Sequence, residues 1–291
     1  MSNATGKPLV SIIIPVFNEE DNITNCLESL EKQTYSKIEI IVVDDCSIDK
    51  TIEILRNKKK ELDLKIVSLD THKERGVARN MGVDHSKGDY LLFIDADMKL
   101  DKDVVSDCIN LVNKDKEIKA IIISELSFGE GFWAKCRNLE KRCYIGDNII
   151  EAARFFERKA FNGIGGWDEK MVSGEDWDLT RRIRLKNKVG RVRSFIYHNE
   201  HDLNLWKAIK KKFYYASVSE TYLAKNPINF SALTVFIFRP AYIRNWKIIV
   251  SDPYHGLGMF LLKGVEIMAG VAGFLFAKLK HLLPISPSVD R

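Results

Sequence analysis

The stretch Leu9–Glu20, LVSIIIPVFNEE, puts five β-branched residues into its first eight positions and then turns polar. An apolar run without polar alternation reads as a strand covered on both faces. Beyond it Ile23, Leu27 and Leu30 recur at helical spacing, and Ile38–Val43 is a second apolar run. The unit strand, helix, strand repeats with Leu64–Leu69, a helical stretch over Gly76–Val83 and the strand Tyr90–Ile94, and Ile118–Ile123 adds another strand. Buried strands alternating with helices imply parallel pairing through right-handed crossovers. Ala152–Phe156 and Arg191–Tyr197 read as further strands, with a helix over Asp176–Lys188 between them. The expected fold is α/β: a doubly wound, mostly parallel sheet with helices on both faces.

The 291 residues are enough for one large α/β domain with an appendage. With 45% hydrophobic and 29% charged residues, disordered and low-complexity chains are excluded. The net charge of +5 is unevenly spread: residues 204–291 carry +8 and nearly half of the aromatics, so two regions are expected, 1–203 and 204–291, facing different partners. Five scattered cysteines without a C-x-x-C pair suggest neither a disulfide framework nor a zinc site. The polar start Met1–Pro8 and the break at Pro15 argue against a secretory signal, so the amino-terminal part is expected in the cytosol.

In doubly wound sheets ligands bind beyond the carboxyl ends of the strands. Here those positions are Pro15–Glu19, Asp44–Asp49, His72–Arg75 and Asp95-Ala96-Asp97, three of the four rich in carboxylates. Asp95 and Asp97, at i and i+2, project to the same side in extended geometry and suit magnesium or manganese bridging to a diphosphate. Alone, such a pair is equally a solvated acidic turn. Neither G-x-G-x-x-G nor a P-loop follows the first strand, which disfavours dinucleotide and P-loop enzymes. Phe17 offers an aromatic flank for a base, and Asp45 an acceptor for a base N–H or a cap for the next helix. Farther on, Gly165-Gly166-Trp167-Asp168-Glu169 and Glu175-Asp176-Trp177 set four acids and two tryptophans around a glycine pair. That composition suits a flexible rim on a sugar-sized cleft, and a carboxylate there can deprotonate a hydroxyl; an acidic first helical turn is the plainer explanation.

Taken together, SIIIPVFNEEDNI, IIVVDDCSIDKT, RGVARNMG, GDYLLFIDADM and GGWDEKMVSGEDWDLTRRI resemble the ordered motifs of family 2 glycosyltransferases over roughly residues 8–200. The resemblance implies the GT-A fold and inverting sugar transfer from a nucleotide diphosphate donor. It implies that Pro15, Phe17 and Glu19 line the nucleotide pocket, that Asp45 contacts the base and that Arg75 lies near the nucleotide. Asp95 would face the ribose or a divalent cation, manganese or magnesium, and Asp97 would ligate that cation. Asp176 would be the general base, with Trp167 and Glu175 on the acceptor side. His198, following a strand, is a further candidate metal or diphosphate ligand.

In the tail a helix bearing Trp206, Ile209 and Phe213 against Lys207 and Lys210–Lys212 is amphipathic and basic. Leu257–Ala277, 21 residues with only Lys263 and Glu266 charged, would extend about 31 Å as a helix, enough to cross a bilayer. A core helix, an in-plane helix and a span all answer to this pattern. Basic and apolar residues interleaved point to anionic lipid, not nucleic acid. The expectation is an enzyme on the cytoplasmic face of a membrane, peripheral or single-span, in cell-envelope glycan biosynthesis, with a sugar hydroxyl on a lipid-linked glycan as acceptor. The alternative is a catalytically silent sugar-nucleotide or glycan-binding subunit of an assembly complex, against which the intact acid set speaks.

Overall fold

The computed structural model describes residues 6–201, 203–219, 225 and 239–282. The tail segments 220–224, 226–238 and 283–291, included in the basic and aromatic region above, lie outside the described residues. The chain divides into two compact units. The first takes residues up to Phe128, Tyr144–Lys170 and Glu175–Asn199; the second takes Gly129–Cys143, Met171–Gly174 and the chain from Glu200 on.

The first unit opens with β1 (Val10–Val16), α1 (Ile23–Glu31), β2 (Ile38–Asp44), α2 (Thr51–Lys58), β3 (Leu64–Ser68), α3 (Arg75–Asp84) and β4 (Tyr90–Phe93). Next come the short β5 (Met98–Leu100), α4 (Val104–Lys114) and β6 (Ile118–Phe128). The chain then forms α5 (Phe132–Tyr144), and returns with β7 (Ala153–Glu157), α6 (Arg158–Gly163), α7 (Glu175–Arg184) and β8 (Lys188–Asn199). Eight strands form one sheet in the order β3-β2-β1-β4-β7-β6-β8-β5. The β3-β2-β1-β4 half is parallel, as is the β6–β8 pair, while β7 runs antiparallel to both its neighbours and β5 antiparallel to β8. The sheet is therefore mixed, with a parallel amino-terminal half.

The apolar run of β1 lacks alternation because both its faces are covered. Ile12 and Ile14 join the core built with α1, α2 and α4, and Ile13 joins the opposite core with Val83, Phe161, Leu179 and Ile183. On that side α3 packs so closely that a Cβ at Gly82 would stand 2.4 Å from Ile13 Cγ2. Pro15 is tolerated in this central strand for a geometric reason. The Val16 carbonyl faces β2, accepting from Asp45 N, and the Ile13 carbonyl faces β4, accepting from Ile94 N. Alternation turns Pro15 toward β4 just past Phe93, where the β1–β4 ladder ends, so the missing N–H forgoes a bond only at the ladder's end. Since β1 lies between β2 and β4, the strand order reverses there, and in open α/β sheets ligands bind outside the carboxyl ends of the strands at such a switch point.

In the second unit the described helices are α5, α8 (Leu205–Ser217), α9 (Pro240–Arg244), α10 (Trp246–Val250) and α11 (Pro253–Leu282). Asn204 caps α8 by accepting from Lys207 N at 2.9 Å. Over Pro253–Leu279 the mean hydropathy of α11 reaches 1.8, and it is the one helix among the described residues long and apolar enough to cross a membrane. All five cysteines are free thiols, four of them buried.

Candidate active site

The turns after β1 and β2 are knitted into one rim. Asn18 and Cys46 both adopt left-handed backbone, with φ of 55° and 63°. Asn18 N donates to Ser47 Oγ at 3.0 Å and its side-chain oxygen accepts from Ile48 N at 2.9 Å. Glu19 N donates to Thr51 Oγ1 at 2.7 Å, and Lys50 N to Glu20 at 2.9 Å. On this rim the Phe17 ring is 43% exposed and stands 4.4 Å from the His72 ring. Asp45, expected at the base, also holds a neighbouring loop, because its Oδ1 accepts from Lys73 N at 2.7 Å and its Oδ2 lies 2.9 Å from His72 Nδ1. It thereby ties the loop after β3 to the end of β2, and burial raises its carboxyl against the pull of these two partners. Pro15 closes β1 beneath the rim, and Arg75 is exposed at the start of α3.

Asp95 leaves the end of β4 into a cationic setting. Arg79 on α3 donates to its Oδ1 at 2.8 Å, and Arg154 on β7 approaches its Oδ2 at 3.8 Å. Burial alone would raise the Asp95 carboxyl, but these guanidinium groups, with Arg75 farther off, hold it well below the ordinary carboxylate range. Arg154 is itself held by Glu125 at 2.5 Å. Asp97 sits differently. Because β5 follows immediately and pairs Met98 with His198, the His198 ring is delivered beside it, Nε2 to Oδ2 at 3.1 Å. The other oxygen of Asp97 is buried with no hydrogen-bond partner among the described residues. Glu19 is close enough that Asp97 and Asp95, after burial, help to raise its carboxyl; Asn22 donates to it at 2.8 Å.

Glu175 and Asp176 open α7, where carboxylates complement the exposed backbone N–H groups. Arg79 reaches both, Glu175 at 3.4 Å and Asp176 at 3.3 Å. Glu175 is nearly covered, and burial together with the neighbouring Asp176 pushes its carboxyl up to about 6. The Asp176 side chain remains 33% exposed. Arg79, at 1% exposure, is thus the buried hub joining the β4-end carboxylate to the α7 pair. Sequence reasoning misses it, although it lies four residues after Arg75 in RGVARNMG, on the helix whose Gly76, Ala78 and Gly82 mark a packed face.

Trp167 corrects the expected rim. It is 3% exposed, lies beneath the Arg79 guanidinium at 4.4 Å and meets Phe93 edge-on. The ring therefore packs against the hub inside the core and is not part of an exposed rim. Asn80 fixes its loop, accepting from Trp167 N at 3.1 Å and donating to Trp167 O and Glu169, both at 3.0 Å. Gly165 and Gly166 turn that loop with φ of 84° and 64°.

Among the described residues no three His, Cys, Asp or Glu side chains are grouped to hold a metal. Asp97 and His198 nevertheless fit a hard divalent cation, because the orphaned Asp97 oxygen is an unspent acceptor and such ions take few protein ligands beside substrate phosphates. Asp95 fits less well, its charge already answered by Arg79 and Arg154.

A family model described as Glycosyl transferase family 2 matches residues 11–163. The chain is 45% identical over 185 residues to the glycosyltransferase AglE of Haloferax volcanii, covering 60% of this chain and 61% of AglE. It is 36% identical over 107 residues to the poly(ribitol-phosphate) β-N-acetylglucosaminyltransferase TarS of Staphylococcus aureus, covering 36% of this chain and 19% of TarS. The chain thus spans about a fifth to three-fifths of the length of these relatives. Among solved structures, the mannosyltransferase PcManGT of Pyrobaculum calidifontis with GDP-Man and Mn2+ superposes with a TM-score of 0.59 at 17% identity, covering 97% of this chain and 82% of that one. TarS 1–349 with UDP-GlcNAc superposes at 0.55 with 18% identity, covering 94% and 91%. At such identities the likeness speaks for the fold, the mixed α/β sheet of GT-A glycosyltransferases. With the family match running through more than half of the chain, across the very strands whose ends carry Asp45, Asp95 and Asp97, this chain belongs to glycosyl transferase family 2.

Proposed function

We propose that the protein transfers a sugar, with inversion, from a nucleotide diphosphate donor to a hydroxyl on a lipid-linked glycan at the cytoplasmic face of a membrane. The observation that carries this reading is the double engagement of Arg79, with Asp95 on one side and Glu175 and Asp176 on the other. A donor-side carboxylate and an acceptor-side pair are thereby held in one rigid frame, which an in-line displacement between two substrates requires. Phe17 and the Asp45 clamp border the nucleotide, with Pro15 and Glu19 behind them and Arg75 toward the phosphates. Asp97 and His198 would hold manganese or magnesium, which when bound neutralises charge on the leaving diphosphate. Asp176, the more exposed acid, takes the proton from the acceptor hydroxyl, with the nearly covered Glu175 beside it on the acceptor side. A lipid phosphate would need no such base, which favours a hydroxyl acceptor. The named donors of two structural neighbours, UDP-GlcNAc and GDP-Man with Mn2+, support the donor class.

The test is release of nucleoside diphosphate from a panel of sugar nucleotides with manganese, and the anomeric configuration of the product by NMR. Saturable donor binding without turnover under any condition would identify a silent binding subunit instead.

A further inference from the structure

On α11 the covered and open sides differ in kind. Met259, Leu262, Glu266, Ala269 and Gly273 follow helical spacing along one face and are buried. At the middle of this face Lys263 pairs with Glu266 at 2.7 Å and with Glu140 of α5 at 2.5 Å, and Arg137 of α5 also pairs with Glu266. The Tyr242 hydroxyl donates to Glu140 at 3.0 Å. The two charges inside the apolar helix are thus answered by a neighbouring helix of the same unit. The opposite face, Leu257, Leu261, Met268, Val271, Leu275 and Leu279, recurs every three or four residues or at a multiple of that spacing, and all six are exposed. It forms an uncharged stripe about 33 Å long.

We propose that α11 lies in the plane of one leaflet of an anionic membrane, immersed along the Leu257–Leu279 stripe, and does not span the bilayer. This rests on the membrane-associated reading above and specifies its partner and its mode. If α11 spanned, its centre would sit at the bilayer midplane together with α5, which is fixed to that centre by the Arg137, Glu140, Lys263 and Glu266 pairs. But α5 turns Lys135 and Arg142 outward as exposed residues, and exposed charges at the midplane are strongly disfavoured. An in-plane helix leaves α5 in water and immerses only the stripe. Charge and aromatic placement in the same unit complement a lipid surface: Trp206 and Trp246 are exposed beside exposed Lys207, Lys210, Lys211, Arg244 and Lys247, with Lys210 over the Trp206 ring at 5.3 Å.

The experiment measures depth. Nitroxide labels on single cysteines at Leu257, Met268 and Leu279, in a Cys46→Ser background of the full chain, are read in vesicles rich in phosphatidylglycerol. The expected result is three similar depths in one leaflet, about 5–10 Å below the headgroup boundary, with binding at least about tenfold weaker to phosphatidylcholine alone. The exposed-face substitution Leu261→Asp should loosen vesicle binding without lowering the melting temperature in vesicle-free buffer. Met268 at the midplane with Leu257 and Leu279 at opposite interfaces would overturn the proposal. So would absence of vesicle binding in a protein that sediments as a dimer, since a second copy would then cover the stripe. Depths are read without turnover, so a protein that transfers no sugar yet shows the flat profile would sink the catalytic reading alone.

Discussion

Arg79 donates through Nη2 to Asp95 across 2.8 Å from a fully buried position, and its Nη1 reaches the α7 acids Glu175 and Asp176 at 3.4 and 3.3 Å. A single cation thus answers carboxylates from two separate elements. Removing one partner of a buried ionic network costs far more than the net worth of the pair, because the other charges stay buried and unanswered.

Arg79→Met should therefore destabilise the protein by about 3–5 kcal/mol, read as a lowered denaturant midpoint at unchanged m. Arg79→Lys keeps the charge but not the planar fork, and should fall between. A midpoint within error of the parent protein in Arg79→Met would remove Arg79 from its place as the hub.

Glu175 gives a pH signature. Its folded carboxyl is raised to about 6 by burial and then by Asp176, so the folded state holds the proton more tightly than the unfolded chain. The associated stability is present below about pH 4.5 and is lost as pH rises through about 6. Glu175→Gln lacks this loss. The variant should gain on the parent protein by about 2 kcal/mol between pH 4.5 and pH 7.5, as paired urea titrations would measure. A constant difference across that window would contradict the assignment.

For Asp176→Asn we expect kcat to fall by about 10²–10⁴-fold with donor affinity nearly intact, because the base acts on the acceptor. Turnover at the parent rate would move the base elsewhere.

Asp97→Ala addresses the cation. At about 100 times its Kd a donor should stabilise the parent protein by about 2.7 kcal/mol, in a manganese-dependent way, and the variant should lose the manganese-dependent part. The readout is a thermal shift with donor, with and without the metal; an unchanged metal effect would exclude Asp97 as a ligand.

Gly82→Ala tests packing remote from the chemistry. The added methyl would meet Ile13 at 2.4 Å, and overpacking of this kind costs about 1–3 kcal/mol. Calorimetry should report a lower melting temperature.

Much of the amino-terminal half is legible in the sequence because buried parallel strands leave an unbroken apolar run, as Val10–Val16 and Ile38–Asp44 do. The placement of Asp45 and Asp95 follows, since each comes directly after the apolar run of a strand and so stands at its carboxyl end. Less is legible where pairing is non-local. Nothing in Ala153–Glu157 announces that β7 inserts antiparallel between β4 and β6, and three-residue β5 is too short for any periodicity to register. Helix α4 is absent from the expected elements although its apolar spacing at Val105, Cys108, Ile109 and Val112 is readable. Arg79 and Trp167 are obscured by residue type: an arginine in a helix reads as surface and a tryptophan beside glycines reads as rim, until tertiary structure stacks one on the other.

The pairing of Met98 with His198 has a consequence for the order of events during synthesis. The two halves of the Asp97–His198 site lie a hundred residues apart in the chain, and β5 has no partner among the described residues other than β8. A domain folds as a unit, so Asp97 and His198 meet only once the twelve residues of β8 have been made and joined to the sheet. A chain stopped before Lys188 would lack β8, leaving β5 without the strand it pairs with and Asp97 without the His198 ring.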